Sequence, residues 1–148
     1  MGGKQNVRRG NSRRGNSRRR NAVLRYVRES DEPCWICGLP IDRDVAQGDP
    51  LCCECDELVP VSRGGSPYAR DNVAAAHRCC NAWRGAKSVQ TVAVIRAEVM
   101  RRFGGWSSPL DFVAKARQVV VDERAQRRAV REARRSRGVR VERTSGDW

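Results

Sequence analysis

The sequence predicts an α+β fold, a small metal-pinned unit of strand and helix flanked by basic segments. Three observations predict it. Two Cys/His pairs, Cys34-x2-Cys37 and His77-x2-Cys80, bracket one apolar run. That run, "LCCECDELV" at 51–59, has the length of a strand and ends at Pro60 and Gly64-Gly65. Beyond it, apolar residues recur at helical spacing over 89–103 and again from 109.

Charge divides the chain. The 148 residues carry 30 Lys/Arg against 17 Asp/Glu, a net charge of +13. Residues 1–28 hold ten Lys/Arg and no acid, residues 29–105 nine and eleven, and residues 106–148 eleven and six. A near-neutral centre thus lies between two cationic arms. Cationic blocks of this kind serve polyanions, most often nucleic acid, through phosphate contacts and counterion release. The expected organisation is a basic flexible arm (1–28), a compact domain (32–105) and a basic helical extension (106–148). No stretch approaches the ~20 apolar residues of a membrane span. The basic N-terminus lacks the apolar core of a secretory signal. Seven closely spaced cysteines in such a chain favour metal binding over disulfides and a reducing, cytoplasmic setting.

Taken in order, "VRRGNSRRGNSRRR" at 7–20 repeats Arg-Arg-Gly-Asn-Ser and has almost nothing apolar to bury. It predicts a flexible arm that tracks phosphates. A short helix is expected at about 20–29, where Ala22, Val23, Tyr26 and Val27 share a face. "PCWICGLPI" is a tight turn holding two cysteines, and the strand at 51–59 follows. "DNVAAAHRCCNAWRGAKS" opens with a possible Asp/Asn N-cap and turns helical. The next helix spans about 89–103, with Val89, Val92, Val99, Met100 and Phe103 as a core stripe closed by Gly104-Gly105. The last starts at Ser108 as N-cap, with Pro109 at the first helical position and Asp111 where a carboxylate suits the dipole. Leu110, Val113, Val120 and Val121 give it an apolar face at first. Arg124, Arg127, Arg128, Arg131, Arg134 and Arg135 then form an arginine stripe suited to DNA or RNA.

Cys34 and Cys37 supply half of a tetrahedral zinc site. Two completions compete: His77 with Cys80, or Cys52 with Cys55 at close to zinc-ribbon spacing. On a strand, residues three apart point to opposite faces, so Cys52 and Cys55 diverge. At a helix start, His77 and Cys80 lie close enough to share one ion. The first completion is therefore expected. Cys52, Cys53 and Cys55 become small buried apolar residues and Cys79 a spare.

The same residues resemble the HNH endonuclease family, of the ββα-metal fold. The matching pieces are Cys34-Trp-Ile-Cys37, "DELVPVSRGG" (56–65), Asn72 and "HRCCNAWRGAKS" (77–88), over a third of the chain. The resemblance implies a metal-dependent DNA endonuclease of nicking type. Asp56 and Asn81 would hold a catalytic divalent cation, usually Mg²⁺, and Asn72 would brace the loop. Cys34, Cys37, His77 and Cys80 would be the structural zinc site. Glu57 stands where the family has the histidine that deprotonates water, so Glu57 becomes the expected general base. A carboxylate can do this, weakly unless its pKa is raised. Arg63, Arg84 and Lys87 are expected phosphate contacts. "FGGWSSPLDFVAKAR" and the ending "RTSGDW" resemble small HNH proteins of tailed bacteriophages, especially those infecting actinobacteria, which implies DNA and packaging (terminase) proteins as partners. The alternative is a non-catalytic zinc-containing DNA-binding module.

Overall fold

The structure, a computed structural model, describes residues 11–141. It mixes helix and sheet: four α-helices and one two-stranded antiparallel sheet among the described residues. Helix α1 covers Asn11–Glu29, strand β1 Cys53–Glu57 and strand β2 Val73–His77. Helix α2 covers Arg78–Arg84, α3 Val89–Phe103 and α4 Pro109–Val141. No helix among the described residues is long and apolar enough to cross a membrane.

Helix α1 starts well before the expected residue 20, so much of the Arg-rich repeat is helical and the expectation of a disordered arm fails from Asn11 onward. The reason lies at its far end. Val23 and Val27 are buried against Cys53, Val73 and Ala75 of the sheet. That docked turn nucleates a helix, and arginine, a good helix former, propagates it upstream past single Gly and Asn residues. Residues 1–10 lie outside the described residues.

The strand is shorter than the expected run of 51–59. It pairs with β2 in the register Cys53↔His77, Cys55↔Ala75 and Glu57↔Val73. Alternation then sorts the side chains. Cys53 pack with α1 on one face together with Cys55, while Ala76 joins the main core on the other.

That core holds Ile36, Ala76, Trp83, Val92, Ile95, Val99, Phe112, Val113, Ala116 and Val119. The Phe112 ring meets Trp83 and Trp106 edge-on, with centroids 5.4 and 5.0 Å apart. Helix α3 has the expected bounds. Ser88 Oγ accepts the Thr91 N–H at its start, and Gly104 closes it at φ 70°. Its buried line, however, is Val92, Ile95 and Val99, while Met100 and Phe103 are 50% and 42% exposed. Helix α4 likewise turns Phe112, Val113, Ala116 and Val119 inward and leaves Leu110 and Val121 outside. In both helices the apolar residues span more than one face, and packing in the shared core selects among them. The first turns of α4 thus belong to the core, and the compact part runs past residue 105.

Candidate functional site

The four expected zinc ligands converge. Sγ of Cys34, Cys37 and Cys80 and a ring nitrogen of His77 all lie within 4.8 Å of one another, and all four residues are buried. Ligands at roughly 2.1–2.3 Å from one ion have separations of this order, so the set fits a metal such as zinc. Local structure accounts for the convergence. Cys34 and Cys37 sit in a turn closed by Gly38 N–H donating to Cys34 O at 2.7 Å, with Gly38 at φ 76°. Trp35 N–H donates to Ala75 O at 3.0 Å, which fastens the turn to β2. His77 ends β2, and Cys80 lies in the first turn of α2. The first N–H groups of α2 find backbone partners: Arg78 N–H donates to Cys52 O and Cys79 N–H to Pro50 O.

The His77 ring is oriented for metal. Nδ1 lies 3.5 Å from Cys37 Sγ and Nε2 lies 3.1 Å from Pro40 O. A carbonyl only accepts, so Nε2 carries the proton and the Nδ1 lone pair faces the cluster. Trp106 Nε1–H donates to Cys37 O at 3.0 Å, a second fixed outer contact. Among the thiols, hydrogen bonds from Cys37 and Cys80 hold the Cys34 pKa well below the ordinary value. Its partners move the other way: Cys37 is pushed up to about 12, chiefly by Cys34, and Cys80 rises as well. Cys52 and Cys53 are buried, and Cys55 and Cys79 are half-buried, all as free thiols.

The carboxylates at the end of β1 are arranged differently from the expected cation site. Asp56 is 6% exposed. Its Oδ1 accepts from Arg84 Nη1 and its Oδ2 from Trp35 Nε1 at 2.9 Å. Burial pushes its carboxyl pKa up, opposed by the Arg84 charge and the Trp35 hydrogen bond. Asn81 instead donates from Nδ2 to Glu54 Oε2 at 2.8 Å. No hydrogen bond joins Asp56 to Asn81 among the described residues. With a guanidinium already on Asp56, these two do not fit a shared divalent cation in this arrangement.

Glu57 points away from that pair, since it follows Asp56 on the strand. Its Oε2 accepts from Val61 N–H at 3.3 Å, and the side chain is half-buried. Asn72 sits where a loop brace is expected: Oδ1 accepts from Val59 N–H at 2.9 Å, and Nδ2 donates to Val59 O and Ser66 O at 2.9 and 3.0 Å.

Of the expected phosphate contacts, Arg63 is exposed and donates to Ala86 O at 3.2 Å. Arg84 requires a correction. It is 2% exposed, and its nitrogens serve Asp56, Glu57 O, Leu58 O and Lys87 O, so it braces the strand end and has no face left for a phosphate. Lys87 Nζ caps the end of α2, donating to Trp83 O at 2.6 Å and Arg84 O at 3.3 Å. Burial, with Arg124 and Arg117 nearby, lowers its pKa.

Three residues at this site escaped the sequence reading: Trp35, Glu54 and Arg43. The signal for Glu54 was present, because residues two apart on a strand share a face and Glu54 therefore accompanies Asp56. Arg43 donates to Cys53 Sγ, Ser30 O and Glu32 O, each at 2.8 Å, and ties the end of α1 to β1. No pattern in the sequence marks it. No family model matches the chain, and neither curated proteins nor solved structures match it.

Proposed function

We propose that this chain is a DNA endonuclease of the HNH type, a phosphodiester hydrolase with a structural zinc ion. The observation that carries the reading is the Asn81–Glu54 contact. It sets an amide, one residue after the last cysteine of the metal cluster, against a carboxylate on β1. The strand–loop–strand–helix order and the Asn72-braced loop give further support.

In this reading Glu57 takes the proton from a water as the water oxygen attacks phosphorus. The bond to the 3′-oxygen breaks, and that oxygen takes its proton from solvent. Glu57 suits the role in one respect, since among the described residues its side chain accepts one weak backbone contact, at 3.3 Å. The arginines of α1 and α4 supply salt-sensitive affinity that is largely independent of sequence. A place beside the DNA-packaging proteins of a tailed phage belongs to the same reading and rests on the flanking segments alone.

A second reading, a zinc-containing DNA-binding module without catalysis, is favoured by the Asp56–Arg84 ion pair, which occupies the carboxylate expected to hold a cation. Nicking of supercoiled plasmid by zinc-loaded protein separates the two, with Mg²⁺, Mn²⁺ or EDTA present. Cutting that requires the cation and disappears in Asn81→Ala and Glu57→Ala supports the nuclease. Cutting lost only in Asn81→Ala removes Glu57 from the reaction. A DNA complex that forms but never cuts establishes the binding module.

A further inference from the structure

A groove of about 440 Å³ lies on α3 beside the Cys34–Cys37 turn, lined among others by Trp35, Ala93, Arg96, Ala97, Met100 and Trp106. Sequence spacing explains its floor. Ala93 and Ala97 are one helical turn apart and exposed, outside the buried line of Val92, Ile95 and Val99. Two indoles supply the walls, and each is fixed by its own N–H. Trp35 Nε1 donates to Asp56 Oδ2 at 2.9 Å, and Trp106 Nε1 donates to Cys37 O at 3.0 Å. The walls are therefore set before anything binds.

Arg96 is the one charged residue in this lining among the described residues. Its guanidinium lies 5.6 Å from the centre of the Trp106 ring, and among the described residues no hydrogen bond or ion pair engages it. A Cβ on Gly38 would fall 2.5 Å from its Nη2, so the bare backbone of the turn makes room for it. The guanidinium donors thus remain available to a ligand. A surface that tracks phosphates carries many cations, as α1 and α4 do, whereas here one guanidinium stands among aromatic and apolar side chains. That chemistry suits a flat aromatic ring with acceptors along one edge. Bases stack on aromatic side chains, and an arginine fork matches the N7 and O6 acceptors of guanine. A carboxylate on an apolar protein segment would satisfy Arg96 but make no particular use of two indoles.

We propose that this groove binds an unpaired guanine of DNA, with Trp35 and Trp106 as stacking walls and Arg96 on N7 and O6. A paired base is stacked between its neighbours, so the groove takes it only unpaired or turned out of the helix. The proposal rests on the nuclease reading for its substrate and narrows that substrate. Trp35 also holds Asp56, the neighbour of Glu57, so the bound base lies beside the end of β1, where that reading puts the cut. The substrate implied is DNA with an unpaired base near the cut, such as a bulge, a flap or a junction.

The test is fluorescence anisotropy of full-length zinc-loaded protein with three labelled DNA hairpins: fully paired, with one bulged guanine, and with one bulged thymine. Zinc content and thermal midpoint control for folding. The guanine bulge should bind at least about fivefold tighter than the paired stem, and tighter than the thymine bulge. Arg96→Gln should remove the advantage of guanine over thymine. The double variant Ala93→Leu/Ala97→Leu fills the groove from two exposed positions and should remove both bulge preferences. Both variants should bind the paired stem about as well as the parent does. Equal affinity for the three hairpins overturns the proposal and leaves the groove to an apolar protein segment. A guanine preference that persists in both variants overturns it as well, by placing the preference elsewhere. Plasmid nicking by the same preparations separates the two claims. Guanine held through these residues by a protein that never nicks would overturn the nuclease and keep the groove, whereas nicking without any guanine preference would overturn the groove and keep the nuclease.

Discussion

Arg84 of α2 and Asp56 of β1 form an ion pair that is shut off from water, at 2% and 6% exposure. The guanidinium also reaches Glu57 O and Leu58 O, so a single side chain holds the last residues of β1 and the first of the loop. The Trp35 ring lies 5.1 Å from the same guanidinium and donates to the same carboxylate. The Cys34–Cys37 turn, strand and helix therefore meet at one charge pair beside the Cys/His cluster.

Breaking that pair from one side should be costly. Arg84→Met strands a buried carboxylate and removes the donor of three backbone carbonyls, and about 3–5 kcal/mol of stability should be lost. The loss also depends on pH. Without Arg84, only burial and Trp35 act strongly on Asp56, so its folded pKa rises further. The folded state then binds the proton more tightly than the unfolded one, and stability falls as pH rises from about 4 through that raised value. Urea unfolding of the zinc-loaded variant should show a deficit that grows over this window. Asp56→Asn placed on top of Arg84→Met should recover part of it.

Zinc binding should release protons. Within the folded cluster, hydrogen bonds from Cys37 and Cys80 hold the Cys34 pKa below its ordinary value, while those of Cys37 and Cys80 are raised. A zinc ion needs all three thiols deprotonated, so protons must leave on binding at neutral pH. Apparent affinity should then rise with pH around neutrality. Calorimetry in buffers of different ionisation enthalpy measures the count. Cys80→Ser should lower zinc affinity sharply, whereas Cys52→Ser should leave the zinc stoichiometry at one.

The convergence of the Cys/His cluster was legible because its signal is local: two pairs at fixed spacing, with strand parity to choose between completions. The end of α3 and the start of α4 were legible for the same reason, through Gly104, Ser108 and Pro109, whereas the Asp/Asn cap expected at 71–72 gave way to strand β2, and α2 starts only at Arg78. What the sequence concealed were choices made by tertiary packing. Nothing in "VAVIRAEVMRRF" says that Ile95 joins the buried core while Met100 stays outside. Nor does the acid pair Asp56-Glu57 announce that an arginine 28 positions on will take Asp56 and leave Asn81 to Glu54. Family resemblance supplied roles by position, but charge pairing depends on which side chains the helix brings over the strand.

The loop brace should matter locally and little elsewhere. Asn72→Ala removes three hydrogen bonds that hold residues 59 and 66. Since these groups lie near solvent, water replaces much of the loss, and a cost of about 1–2 kcal/mol is expected. Gly65→Ala should act on the same loop, because a Cβ there would fall 1.8 Å from Val59 O and 2.8 Å from Asn72 Nδ2. In both variants trypsin should cut at Arg63 faster than in the parent protein, with zinc content unchanged. Equal cutting rates would mean that the rest of the loop holds its shape unaided.

The outer part of α4 should prove dispensable for folding and important for affinity. From Arg124 to Arg137 every residue is exposed, so that stretch adds nothing to the core. Its helix is sustained by good helix formers and by i,i+4 pairs such as Arg128 with Glu132 at 3.1 Å. Ending the chain after Glu123 should leave the thermal midpoint of the zinc-loaded protein nearly unchanged. Seven arginines between 124 and 137 would be lost with it. Each one that touches a phosphate contributes about 0.9 to the slope of log affinity against log salt on duplex DNA. The truncated protein should therefore bind duplex more weakly at 50 mM salt and with a shallower salt slope, as read by fluorescence anisotropy. An unchanged slope would assign this stripe to solvent and leave DNA affinity to α1.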